Sequence, residues 1–326
     1  MGKQKVILDV DTGTDDAVAI MLAALSNDID LLGVCSVNGN RGIEFTTENT
    51  LRVVEYLGMQ DTIPVYKGCS LPLVSTLTPG RRDGIPATGS MDKNNIHGDY
   101  VELPPSTIKA QKEHAVFWLI DTLMKSEGDI ILVPVGPLTN IAMALRLEPA
   151  IAKKIKAIVI MGGGYKEVNI TPSAEYNFWV DPEAAKIVVD SGCDITLVPL
   201  DATHKAVLSL DDADELEKSG GKAGIATASF IRHRQAGYKI WQPMEDIETV
   251  PIHDALAICA VINPKVLENV VFTYVDIDIA GGSADGMSIC DVDKRYTEKE
   301  PNVKVALGAS RSIFSEMVRK IMCKMA

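Results

Sequence analysis

VILDVDTGTDDAVAI, residues 6–20, joins a β-branched run to a helical pattern across an acidic corner. Asp9 and Asp11 alternate with apolar residues, as on one face of a strand near its carboxyl end. Thr12-Gly13-Thr14 predicts a tight turn, and Asp15 and Asp16 then fall in the first turn of a helix, where the macrodipole favours negative charge. Such a corner is where open α/β sheets bind ligands. From Val6 to Asn40 there is no Lys, Arg or His, so no sequence neighbour neutralises the four acids. Carboxylates this close raise one another's pKa unless a cation intervenes, and a metal ion is the simplest such cation. Oxygen-only ligands select Ca²⁺ or Mg²⁺ over Zn²⁺. The competing reading makes Asp15 and Asp16 helix-start acids and leaves Asp9 and Asp11 solvated; four acids without a local counter-charge weigh against it.

Outward from this corner, strand-like runs at 5–10, 29–37, 130–135, 157–161, 195–200 and 270–279 alternate with helical patterns at 44–57, 109–125, 138–145, 182–191, 253–261 and 310–324. That alternation implies βαβ units, an α/β fold with an open, mainly parallel sheet and helices on both faces. Residues 75–106, rich in Pro, Gly, Asp and Asn, predict a long loop that is either disordered or functional, such as a lid. Residues 162–177 form a second irregular stretch. No linker composition interrupts the chain, so 1–326 is expected to be a single domain.

The 326 residues carry a formal net charge of -12. That balance argues against nucleic acid or an anionic membrane as partner, because phosphates would be repelled. No segment has signal-peptide anatomy or the length of a membrane span, so a cytoplasmic protein is expected. The six cysteines show no CxxC pairing and read as buried thiols. Gly162-Gly163-Gly164 lacks the Lys-Ser/Thr pair of a P-loop, and GxGxxG is absent, so nucleotide-cofactor binding has no support.

Most predicted strands end in polar residues: Asn38-Gly39-Asn40, Asn140 in VGPLTN, Asn169, Glu175 and Asn177 in the irregular stretch, and Asp201 in PLDATH. In a parallel sheet these ends converge on the acidic corner. Asn and Glu around a carboxylate-bound metal offer acceptors and neutral donors suited to a polyhydroxylated ligand such as a sugar. Asn40 reads equally well as a turn residue beside Gly39. Glu175 and Asn177 would point the same way if their segment is extended. His253 and Asp254 open an apolar helix with two readings: a helix-start acid beside a solvated imidazole, or a distant metal carboxylate beside a substrate acid. His97, in the long loop, would reach the site only if that loop folds over a ligand.

Together DVDTGTDDAVAI, the NGN turn, VPVGPLTNIAMAL, MGGGYKEVNITPSAEYNFWVDPEAA and PIHDALA resemble the nucleoside hydrolases of the inosine-uridine preferring type, over nearly the whole chain. The resemblance implies a mixed, mainly parallel sheet with a Rossmann-like core, and a Ca²⁺ ion held by Asp11, Asp16, Asp254 and the Val135 carbonyl. It implies Asp11 as general base on a metal-bound water, and ribose contacts from Asp15, Asn40, Asn169, Glu175, Asn177 and Asp254. His253 matches the histidine placed to protonate the leaving base, and also contacts substrate; Tyr238 and Trp241 in HRQAGYKIWQ fall where relatives line the base pocket. The implied substrate is a purine or pyrimidine ribonucleoside, and the implied assembly a homo-oligomer, dimer or tetramer.

Two alternatives compete. Haloacid-dehalogenase-type phosphatases also follow an apolar strand with DxD, but TGTDD fits their pattern poorly and leaves the distant His253-Asp254 pair unexplained. A calcium-dependent ribose-binding protein without turnover would keep the scaffold, yet both candidate acid-base residues are present.

Overall fold

The computed structural model describes residues 2–78, 80–82, 98–242, 244, 246–296 and 298–323. The strands are β1 Gln4–Val10, β2 Ile29–Ser36, β3 Val65–Lys67, β4 Ile130–Pro134, β5 Ile155–Met161, β6 Ile195–Val198, β7 Val207–Ser209, β8 Thr249–Pro251, β9 Leu267–Thr273, β10 Val275–Ile277, β11 Ser288–Cys290 and β12 Val303–Ala309. The helices are α1 Thr14–Leu25, α2 Ile43–Tyr56, α3 Ala115–Lys125, α4 Thr139–Leu147, α5 Tyr176–Val180, α6 Pro182–Val189, α7 Leu200–Thr203, α8 Leu210–Lys218, α9 Lys222–Trp241, α10 His253–Ile262 and α11 Arg311–Met322. No helix among the described residues is long and apolar enough to cross a membrane.

Eight strands form one mixed sheet in the order β3-β2-β1-β4-β5-β6-β12-β9, parallel except for β9, which runs antiparallel to β12. Strands β7 and β8 pair as a separate ribbon, as do β10 and β11. Alternation along β1 divides the core. Val6, Leu8 and Val10 pack with α1, α10 and α11 on one face, while Ile7 packs with α3, α4 and α6 on the other. The order 3-2-1-4-5-6 is that of a doubly wound sheet, whose direction of winding reverses between β1 and β4. Asp11 follows β1 and Val135 follows β4, so the acidic corner lies at that reversal.

Four expectations change. The run 270–279 is split at Tyr274: β9 closes the main sheet, and β10 leaves it to pair with β11. Strand β6 stops at Val198, before Pro199, and Leu200 opens α7. Helix α3 starts at Ala115, capped by His114 Nδ1 accepting from the Val116 N–H at 3.3 Å; upstream, the Gln111 N–H instead bonds the Val65 carbonyl. Residues 175–177 are not extended: Glu175 is the N-cap of α5, its carboxylate accepting the Asn177 and Phe178 N–H groups, and the cap and helix, not a strand, bring Glu175 and Asn177 to one cavity. Helices α5, α7, α8 and α9 and strands β3, β7, β8, β11 and β12 are additions to the predicted set.

Candidate active site

The corner folds through its own acids. Asp16 is fully buried; Oδ1 accepts the Asp11 N–H at 3.1 Å and Oδ2 accepts the N–H of the N-cap Gly13 at 2.8 Å, so its carboxylate reaches back over the start of α1. Asp11 lies between two glycine turns. Its Oδ2 accepts the Asn40 N–H at 2.6 Å. A Cβ at Gly39 would stand 2.1 Å from Asp11 Oδ2, and one at Gly136 would stand 2.7 Å from Oδ1; only glycine lets both loops pack onto this carboxyl. Asp254 enters from the first turn of α10, buried to 3 % exposure. Ligand atoms of Asp15, Asp16 and Asp254 lie within 4.8 Å of one another.

The electrostatics of this cluster are unfavourable without a cation. Burial, then repulsion from Asp16, holds the Asp11 carboxyl well above the usual range. Burial and the Asp15 charge push Asp16 up to about 7. Asp254 is raised well above its ordinary value by burial and by Asp15, Asp16 and Asp11 together. A buried, oxygen-only set whose members resist ionising beside one another fits a hard divalent cation. Asp9 sits one step back. It accepts from Asn140 Nδ2 at 3.3 Å, and burial raises it to about 8, so it carries its proton at neutral pH.

One acid has a protein counter-charge that the local sequence did not reveal. Arg234, only 1 % exposed on α9, places Nη1 2.9 Å from Asp15 Oδ1. Its guanidinium also donates to the Pro251 carbonyl at 3.2 Å, to Thr14 Oγ1 at 3.3 Å and to Tyr238 Oη at 3.4 Å. No basic residue between Val6 and Asn40 neutralises the corner, but a distant one, Arg234, does so for Asp15. The available signal was its place four residues before Tyr238, on the same helix face.

One cavity is lined by Asp11, Asp15, Asp254 and Val135, by Asn40, Asn169, Glu175 and Asn177, and by His253, Tyr238, Arg234 and Gln242. Asp16 lies behind this lining. Asn177 Nδ2 donates to the Val135 carbonyl at 2.8 Å and to the Met161 carbonyl at 3.2 Å. Asn169 Oδ1 accepts the Tyr176 N–H at 2.9 Å. Burial raises Glu175 to about 7 despite the N–H groups it accepts. Asn140 and Asp201 stand outside the lining; Asp201 accepts the Tyr165 and Lys166 N–H groups and so shapes the loop after β5. Trp241 ends α9, but its side chain, like His97, lies outside the described residues.

His253 is not solvated: it is 6 % exposed, with Nε2 2.5 Å from Tyr238 Oη and Nδ1 2.7 Å from Thr203 Oγ1. Burial pushes the Tyr238 phenol up to about 12, so that hydroxyl keeps its proton. Thr203, from the turn after β6, is a second residue that the sequence reading missed.

The family model of the inosine-uridine preferring nucleoside hydrolases matches residues 6–316. Among curated proteins, the pyrimidine-specific ribonucleoside hydrolase RihB of Escherichia coli strain SE11 is 38% identical over 322 residues, covering 98% of this chain and 97% of the relative. RihB of Escherichia coli O157:H7 is 39% identical over 326 residues with the same coverage. Among solved structures, a purine-preferring ribonucleoside hydrolase from Gardnerella vaginalis superposes with a TM-score of 0.86 at 28% identity, covering 98% of both chains. The phosphatase reading and the binding protein without turnover give way to this match. The chain belongs to the inosine-uridine preferring nucleoside hydrolase family and is a nucleoside N-ribohydrolase.

Proposed function

We propose that the protein hydrolyses the N-glycosidic bond of ribonucleosides to free base and ribose, with pyrimidine ribosides such as uridine preferred and purine ribosides such as inosine second. The observation that carries the reaction is the cavity itself, where buried carboxylates, ribose-type donors and acceptors, and a hydrogen-bonded imidazole face one space. The base preference is supported by the names of the curated relatives, which are more similar in sequence than the purine-preferring structure. Residues 1–326 act as one catalytic domain, since the cavity draws on residues from Asp11 to Asp254.

Asp11, Asp16, Asp254 and the Val135 carbonyl would hold Ca²⁺. Asp15, not Asp11, is the acid whose ligand atoms group with those of Asp16 and Asp254, but its charge is already met by Arg234, which leaves it for a ribose hydroxyl. When bound, the ion would offset the carboxylate repulsion and acidify a coordinated water. Asp11 then accepts the proton of the attacking water. Cleavage passes through an oxocarbenium-like transition state, and the carboxylates of Asp11, Asp15, Asp254 and Glu175 stabilise the positive charge growing on the ribose. Asn40, Asn169 and Asn177 orient its hydroxyls.

The base departs as a neutral species and needs a proton. His253, held between Tyr238 and Thr203, supplies it, while the guanidinium of Arg234 steadies the Tyr238 hydroxyl. Incubation with uridine and with inosine, followed by assay of reducing sugar, tests the reaction. Release of ribose from either supports it, and release from neither refutes it.

A further inference from the structure

Tyr176 lines the cavity, and its hydroxyl donates to the Gly39 carbonyl at 2.7 Å. That carbonyl and the Asn40 N–H are the two ends of one peptide group, which is planar and stiff. The Asn40 N–H in turn donates to Asp11 Oδ2 at 2.6 Å. We propose that Tyr176 is a positioning residue for Asp11: its hydroxyl fixes the plane of the 39–40 peptide, so that the N–H at the far end is aimed at the carboxylate. The inference rests on the reading of Asp11 as proton acceptor and cation ligand.

Gly39 cannot carry a side chain, because a Cβ there would collide with Asp11. The Gly39 N–H donates to the Arg41 carbonyl at 3.1 Å and Asn40 Nδ2 donates to the Asp11 carbonyl at 3.2 Å, while the Gly39 carbonyl is the end of the 39–40 peptide that Tyr176 holds. A donor on the carbonyl also polarises the amide and strengthens the bond made by its N–H. At its other end Tyr176 is secured by Asn169, which accepts its backbone N–H at 2.9 Å, and by Glu175, which caps α5. One hydroxyl therefore sets the wall bearing Asn169, Glu175 and Asn177 against the wall bearing Asp11. Phenylalanine at 176 would keep the ring and remove that link.

The test compares Tyr176→Phe with wild type as the Ca²⁺-loaded enzyme, measuring kcat and KM on uridine and inosine, and separately titrates Ca²⁺ into metal-free protein by calorimetry. The expected result is kcat about fivefold lower with KM changed less than about twofold, and Ca²⁺ affinity about threefold to fivefold weaker, the size of one neutral hydrogen bond. A lower melting temperature with kcat and Ca²⁺ affinity unchanged overturns the inference and leaves a packing role. A rise in KM alone also overturns it and makes Tyr176 a substrate contact. Should wild type release no ribose, the proposed reaction fails, and the Ca²⁺ affinities alone judge Tyr176: equal values overturn the inference, and weaker binding in the variant supports it.

Discussion

Replacing Arg234 by Met removes the protein's own cation from the acidic corner while retaining most of the side chain's bulk. Asp15 would then be left 5 % exposed beside Asp16 and Asp254 with its ion-pair partner gone. Removing one partner of a buried pair costs about 3–5 kcal/mol, because the remaining charge keeps its desolvation penalty. At about 2–4 °C per kcal/mol, metal-free Arg234→Met melts roughly 6–20 °C below wild type. Calcium should behave in the opposite sense. The guanidinium repels a cation bound among the same carboxylates, so its loss raises Ca²⁺ affinity; recovery of about 1.4 kcal/mol corresponds to about tenfold tighter binding. Calorimetric melting with chelator and with saturating Ca²⁺ therefore shows a gap that narrows when the ion is present. An equal gap in both conditions, or no gap in chelator, refutes the idea that Arg234 and the ion share one charge problem.

His253→Ala lowers kcat on uridine and inosine by about a hundredfold, the scale of a general acid, with KM little changed; equal turnover by wild type and variant removes His253 from the reaction. Tyr238→Phe costs about fivefold, one hydrogen bond, when His253 is present. It costs nothing further in His253→Ala, and additive losses would show that Tyr238 acts independently of His253. Asp181 caps α6 and accepts from Thr139 Oγ1 at 2.6 Å and from the Leu73 N–H at 2.9 Å, yet burial holds it up at about 6. A carboxyl raised on folding contributes stability below its unfolded pKa and loses it as pH rises through the folded value. Between about pH 4 and pH 7, wild type should therefore lose on the order of 2 kcal/mol relative to Asp181→Asn, read from urea midpoints. A difference independent of pH contradicts the assignment.

The parts of the fold that follow from short-range pattern were legible in the chain. Alternation in residues 6–11 gave β1 and the turn into α1, and the apolar helix after His253 gave α10. What escaped depended on distant partners. Arg234 lies 220 residues from Thr14, and its place four residues before Tyr238 points to a shared helix face but not to Asp15 as its partner. Alternation of Glu175 and Asn177 mimicked a strand because a cap followed by a five-residue helix has no room to display a helical period. Helix α9 mixes polar and apolar residues on most of its sides, so its pattern was weak although it carries Arg234 and Tyr238. The run 270–279 was uniformly β-prone, and its division between two sheets is set by Asn302. That side chain both donates to the Val275 carbonyl at 3.0 Å and accepts the Val275 N–H at 2.8 Å.

The central claim is that buried Asp11 accepts the proton from the water that cleaves the ribosyl bond. Its most direct test is the rate of ribose release from uridine by Asp11→Asn and by wild type, both at saturating Ca²⁺. A fall of about 10²- to 10⁴-fold is predicted, the range for loss of a general base. A variant that releases ribose within about threefold of wild type would contradict the account.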